Sequence, residues 1–155
     1  MVLPARISRE QMLMMMAHVA AMRGTCGRLA VGAVIARESR PISLGYVGPA
    51  PGEPHCDPGG LCDLSQPCFR TRHAERNAMD FARHWNIDIR GADLFTTDLS
   101  CLACAQRAHI EGISRVYYDR PYRIDSSEWL LERGIKVYRV LANGMITEHT
   151  RAPKF

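Results

Sequence analysis

His73-Ala74-Glu75 and Cys101-Leu102-Ala103-Cys104 restrict this chain more than any other feature of its sequence. One imidazole and two thiols are zinc ligands, and three protein ligands leave a coordination position for water, whereas a structural zinc closes with four. Cys101 and Cys104 are three apart, so if Cys101 opens a helix both sulfurs leave one face of its first turn. There the unpaired N–H groups and the helix dipole favour thiolate over thiol. Ala74, Ala78, Phe81, Ala82 and Trp85 recur at three or four residues, which predicts a second helix opening at His73. Two helix N-termini then converge on one metal. Glu75 is free of ligand duty: zinc lowers the pKa of a bound water toward ~7, and a carboxylate beside it can take that proton and pass it on. C-x-x-C alone fits a structural zinc half-site or thiol redox chemistry equally well. The combination is what selects a catalytic zinc.

The rest of the chain predicts a single domain over residues 1–155, of α/β class. Ser8-Arg9-Glu10-Gln11 is a capping box for a first helix. Ala30 to Ala36 and Pro41 to Tyr46 pattern as a strand hairpin, Leu94 to Thr97 and Val116 to Tyr118 as further strands, and Ile135 to Leu141 as a fifth. Helices are expected after His73, from Cys101 to Glu111 before Gly112, and from Ser126 or Ser127 to Arg133 before Gly134. The order α-β-β-α-β-α-β-α-β implies three layers: a five-stranded mixed sheet flanked by helices on both faces. Val47 to Arg70, with five prolines and three cysteines, reads as a long loop.

Composition limits partners and compartment. Lys and Arg number 20 against 16 Asp and Glu, a net charge of +4 without a basic run, so no nucleic-acid tail is indicated. Lys136 and Lys154 are the only lysines, and an arginine-rich surface suits phosphorylated substrates or RNA. Met12 to Met22 is apolar but too short to span a bilayer, and Arg6, Arg9 and Glu10 before it do not resemble a signal peptide. It reads as a core or subunit-interface helix. Six cysteines without a secretory segment indicate a reducing, cytoplasmic setting and metal binding in place of disulfides. His18, His84, His109 and His149 have no ligand-like neighbours and read as ordinary structural or surface residues.

H-x-E followed by P-C-x-x-C is the signature of zinc deaminases, matched here except that Ser100 stands in the proline's place. Further stretches are Cys26-Gly27-Arg28 ahead of Val31-Gly32-Ala33-Val34-Ile35, Gly45-Tyr46 with Gly48, His55-Cys56-Asp57 with Cys62, Cys68-Phe69-Arg70-Thr71 before His73, and Gly112 to Tyr118. On these residues the chain resembles the cytidine deaminase superfamily and, within it, the deoxycytidylate (dCMP) deaminase family, over nearly its full length. The resemblance implies hydrolysis of dCMP to dUMP and ammonia, supplying dUMP for thymidylate synthesis, in a homohexamer that responds to dCTP and dTTP, with Mg2+ accompanying the regulatory dCTP. His73, Cys101 and Cys104 are the expected zinc ligands and Glu75 the catalytic acid/base. Expected substrate contacts are Arg28, Tyr46, Val47, Arg70, Ala74, Ser100, Tyr122 and Arg123. Arg70 can pair bidentately with a phosphate or make a structural bond. Tyr122-Arg123 matches a pair that closes the nucleotide pocket in the family, and Tyr46 either stacks on a base or fills the core.

Val47 occupies the position where the family has an asparagine that contacts the substrate sugar, so sugar recognition is altered or moved. The same loop takes part in nucleotide regulation in family members. A C5-substituted nucleotide such as 5-methyl-dCMP is an alternative substrate; a tRNA-editing deaminase and a zinc-stabilised interaction module are the other readings. Ser100 is expected to cap the helix that begins at Cys101.

Cys26, Cys56, Cys62 and Cys68 remain, the last three at six-residue steps through a loop with little apolar content. Ordering such a loop costs entropy that a cross-link offsets. Four thiolates would close a structural zinc, with His55 able to replace Cys56.

Overall fold

The computed structural model describes residues 5–56, 65 and 68–151. Cys62 lies outside the described residues. The elements run α1 (Arg9–Ala21), β1 (Gly32–Arg37), β2 (Arg40–Tyr46), β3 (Gly48–Pro49), β4 (Thr71–Arg72), α2 (Ala74–His84), β5 (Asp93–Asp98), α3 (Leu102–Ile110), β6 (Arg115–Arg120), α4 (Ser127–Glu132), β7 (Lys136–Val140) and β8 (Ile146–Glu148). The principal sheet has the order β2-β1-β5-β6-β7-β8. β5, β6 and β7 are parallel, while β2, β1 and β8 join antiparallel.

Six strands replace the expected five. The sixth, β8, escaped the sequence reading because all three of its residues are exposed and show no buried alternation. Its signal is the turn: Asn143-Gly144 precedes it, Gly144 has φ +85, and the Asn143 side chain accepts from Met145 N at 2.9 Å. The stretch from Val47 to Arg70 is also closed at its base, by antiparallel pairing of Gly48 with Arg72 and Pro49 with Thr71.

Strand alternation sends alternate side chains to two cores. On one face α1 packs Leu13, Met14 and Ala17 against Val34, Phe95 and Tyr117. The rings of Phe95, Tyr117 and Tyr138 stack across three adjacent strands, with centroids 4.3 and 4.8 Å apart. On the other face Ala74, Ala78, Met79 and Ala82 of α2, Ala105 and Ala108 of α3, and Leu130 of α4 cover Leu94, Val116 and Val137. Each fully buried leucine, methionine or phenylalanine there contributes about 1.5–3 kcal/mol.

Small residues set how closely α2 approaches the sheet. A Cβ on Gly45 would collide with backbone atoms of Ala74 and Ala78, so only glycine admits the helix at this depth. Ser43 Oγ donates to the Ala78 carbonyl at 2.7 Å and fixes the same contact. The start of α2, and with it His73 and Glu75, is thereby held against β2.

Candidate functional site

His73 is the N-cap of α2 and Cys101 the N-cap of α3, both in extended backbone conformation, and neither side chain caps its own helix. Their side chains are therefore available to each other. His73 Nδ1 lies 3.4 Å from Cys101 Sγ and 3.5 Å from Cys104 Sγ. All three donor atoms fall within 4.8 Å of one another, the only such group of three among the described residues. Zinc–sulfur and zinc–nitrogen bonds of about 2.3 and 2.0–2.1 Å at a tetrahedral angle place nitrogen and sulfur about 3.6 Å apart. The observed spacings fit a single zinc ion held through Nδ1 and two sulfurs.

Electrostatics agree with a cationic guest. The hydrogen bond from Cys104, followed by that from His73, pulls the Cys101 thiol down to about 4. Cys104 is pushed up because its thiol is the proton-bearing partner of that pair, and because it is buried. His73 is raised, chiefly by the Cys101 sulfur. One thiolate and a shared proton are what two cysteines hold before a cation displaces that proton.

Glu75 follows in the first turn of α2 and is 3% exposed. Burial raises its carboxyl above the usual range, against a smaller opposing pull from its own backbone N–H, His73 and the Ser100 hydroxyl. A carboxyl poised upward in this way suits proton pick-up and release.

The cavity in front of these residues measures about 490 Å3. Arg28, Val47, Ala74, Tyr122 and Arg123 line it, as expected substrate contacts. Leu29, Val31, Thr71, Asp98 and Leu99 line it too, and the sequence reading did not single them out for this role. The guanidinium of Arg123 lies over the Tyr122 ring, 5.7 Å from its centroid.

Three expected contacts lie elsewhere. Tyr46 is half-buried and absent from the cavity wall, and its carbonyl accepts from Asn77 Nδ2 at 2.8 Å. Arg70 donates to the Pro54 carbonyl at 2.8 Å, which makes it a brace of the cysteine-rich loop. Ser100 is 1% exposed and does not cap α3, whose N-cap is Cys101. Its hydroxyl influences Glu75 without reaching hydrogen-bond geometry to any described residue. Ser126 occupies the N-cap position of α4, yet its hydroxyl donates to the Ser100 carbonyl at 2.6 Å in place of capping that helix. Asn77 and Ser126 are thus supports of the site that composition and motif did not reveal.

Of the remaining cysteines the described ones are Cys26, Cys56 and Cys68, which do not meet as a single three-ligand group. Cys68 Sγ donates to Thr71 Oγ1 at 3.2 Å, and the same hydroxyl approaches Cys26 Sγ at 3.9 Å. Cys56 Sγ lies 4.0 Å from Arg70, and His55 Nδ1 3.1 Å from Thr25 Oγ1.

A mixed sheet that presents one histidine and two cysteines at two helix N-termini, with a buried glutamate beside them, defines a zinc-binding deaminase fold. Residues 7–120 match the cytidine and deoxycytidylate deaminase zinc-binding region, and the chain belongs to that family. ComE operon protein 2 of Bacillus subtilis (strain 168) is 35% identical over 145 residues, covering 92% of this chain and 77% of that protein. The deoxycytidylate deaminase of Schizosaccharomyces pombe is 33% identical over 129 residues, which are 78% of this chain but 40% of that enzyme. The dCMP deaminase of cyanophage S-TIM5 in complex with dCMP and dUMP superposes with a TM-score of 0.76 at 25% identity, covering 84% of this chain and 95% of that one.

Proposed function

We propose that this chain is a zinc-dependent hydrolase that converts dCMP to dUMP and ammonia, supplying dUMP for thymidylate synthesis. The observation that carries the reading is the convergence of His73, Cys101 and Cys104 beside the buried carboxyl of Glu75, at the end of a cavity with two arginines. The phage enzyme bound to dCMP and dUMP, similar over most of its length, supports the choice of substrate.

Zinc held by His73 Nδ1, Cys101 and Cys104 would supply Lewis-acid activation of water for attack at C4 of the ring. Glu75 performs the proton transfers. Its carboxylate accepts one water proton, and the carboxyl so formed gives it to N3. The carboxylate then takes the proton of the hydroxyl added at C4 and gives it to the amine, which leaves as ammonia as C4–O becomes the carbonyl. Burial assists the pick-up, because a carboxylate whose neutral form is favoured is a stronger base, and it keeps the proton from solvent until the ring receives it. Arg28 and Arg123 hold the phosphate, Tyr122 closes on the nucleotide, and Val47 and Ala74 form apolar wall.

Three further assignments belong to the same reading. Cys26, Cys56, Cys62 and Cys68 hold a second, structural zinc that fastens the loop beside the cavity. A homo-oligomer, hexameric in the family it resembles, buries the apolar stripe of α1: Met12, Met15, Val19 and Met22 are exposed by 37, 58, 64 and 83%. Their three-four-three spacing is that of a helix-packing seam. The enzyme works in the cytoplasm, under regulation by dCTP with Mg2+ and by dTTP. No helix among the described residues is long and apolar enough to cross a membrane.

Ammonia release from a panel of dCMP, 5-methyl-dCMP, CMP, deoxycytidine, dCTP and a tRNA anticodon stem-loop tests the function. Highest kcat/KM for dCMP is the expected result. Preference for the stem-loop would move the chain to the RNA-editing class.

A further inference from the structure

Asp98 is the second carboxylate on the cavity, and proton transfer leaves it unused. It ends β5, a strand whose six residues are all buried. Alternation turns Leu94, Thr96 and Asp98 toward the α2 face, whereas Phe95 turns toward α1. The side chain is 11% exposed.

Its two oxygens are treated unequally. Thr97 Oγ1 donates to Oδ2 at 2.8 Å, and Arg120 Nη2 reaches the same oxygen at 2.8 Å. Arg120 lies opposite in the parallel register and also donates to the Ala30 carbonyl at 3.2 Å. Oδ1 receives no hydrogen bond from any described residue. Ser100 Oγ is the one sealed, unpartnered side-chain atom among the described residues, so Oδ1 is not closed off. A carboxylate oxygen this far from bulk water calls for a donor, and the cavity is where one can arrive.

The nucleotide supplies few candidates. Its phosphate is an anion and is repelled. The ring amine has to lie at His73, Cys101, Cys104 and Glu75 to react. The sugar hydroxyls remain, and the apolar side chains of Val47, Leu29 and Leu99 on the same cavity offer them no acceptor. We propose that Asp98 is a specificity-determining residue that accepts a hydrogen bond from a sugar hydroxyl of the bound nucleotide. The inference rests on the reading of this cavity as a cytosine nucleotide site.

The test compares kcat/KM of the zinc-loaded full chain for dCMP, 2′,3′-dideoxy-CMP and CMP, in the wild type, Asp98→Ala and Arg120→Gln. Hydrogen bonds to charged groups imply that the wild type prefers dCMP to the dideoxy compound by about tenfold or more. Asp98→Ala should bring that ratio near one through a higher KM for dCMP, and Arg120→Gln should preserve it. The CMP arm checks the 3′-hydroxyl, the one hydroxyl on the sugar of dCMP, as the donor: CMP no better than dCMP supports it, and CMP outrunning dCMP overturns it. A wild-type ratio near one overturns the proposal without any variant, as does its collapse in both variants, which is what a merely structural ion pair would give. If the chain instead deaminates nucleosides, the substrate reading fails, and deoxycytidine against 2′,3′-dideoxycytidine decides the role of Asp98 by the same ratios.

Discussion

The hydroxyl of Ser126 donates to the carbonyl of Ser100 at 2.6 Å, pinning the start of α4 to the residue that immediately precedes the first cysteine of the site. Both serines are 1% exposed. Removing the donor strands a buried carbonyl, at a cost of about 1–3 kcal/mol. Ser126→Ala should therefore lower the unfolding free energy by that amount, read as a lower denaturant midpoint at unchanged slope, and weaken zinc retention against a chelator. Unchanged stability together with unchanged zinc affinity would show that the contact supports nothing.

Phosphate recognition separates the arginines. Arg123 lines the cavity and Arg70 braces the Pro54 carbonyl. dCMP should exceed deoxycytidine in kcat/KM by at least about tenfold. Arg123→Ala should remove most of that difference, while Arg70→Ala should lower thermal stability and leave the ratio intact. Steady-state kinetics on the two substrates check this, and equal values in the wild type would exclude a phosphate subsite.

Metal content tests the cysteine-rich loop. Elemental analysis should give two zinc ions per wild-type chain and one in Cys62→Ser, with that variant losing stability before turnover. One zinc per wild-type chain, with four thiols that alkylate readily, would remove the structural site.

Much of this site was legible because metal ligation ties chemistry to spacing. His-Ala-Glu and C-x-x-C each had to open a helix, and His73 and Cys101 are the N-caps of α2 and α3. Buried strands and small-residue helix faces were legible for the same periodic reason. β8 was not, since an exposed three-residue strand carries no burial pattern and is declared only by Asn143-Gly144. Arg70 was left between a phosphate contact and a structural bond, because a sequence shows a cation and not the carbonyl it meets at 2.8 Å. Asp98 passed unnoticed because its partner Arg120 is 22 residues away and adjacent only through the parallel pairing of β5 and β6.

Assembly follows from α1. Met15→Glu with Val19→Glu places two charges in the exposed stripe, on the side of the helix away from the buried Leu13, Met14 and Ala17. Light scattering should show an oligomer for the wild type and a smaller species for the double variant. A wild-type monomer of about 17.4 kDa would contradict the proposed seam.

The central claim is that zinc at His73, Cys101 and Cys104 works with Glu75 to deaminate dCMP. dUMP formation is measured for the wild type and Glu75→Gln at equal, independently determined zinc content. The account predicts turnover of dCMP by the wild type and a loss of at least ~100-fold in Glu75→Gln with zinc retained. Near-normal turnover in the variant, or no dUMP from the zinc-replete wild type, would contradict it.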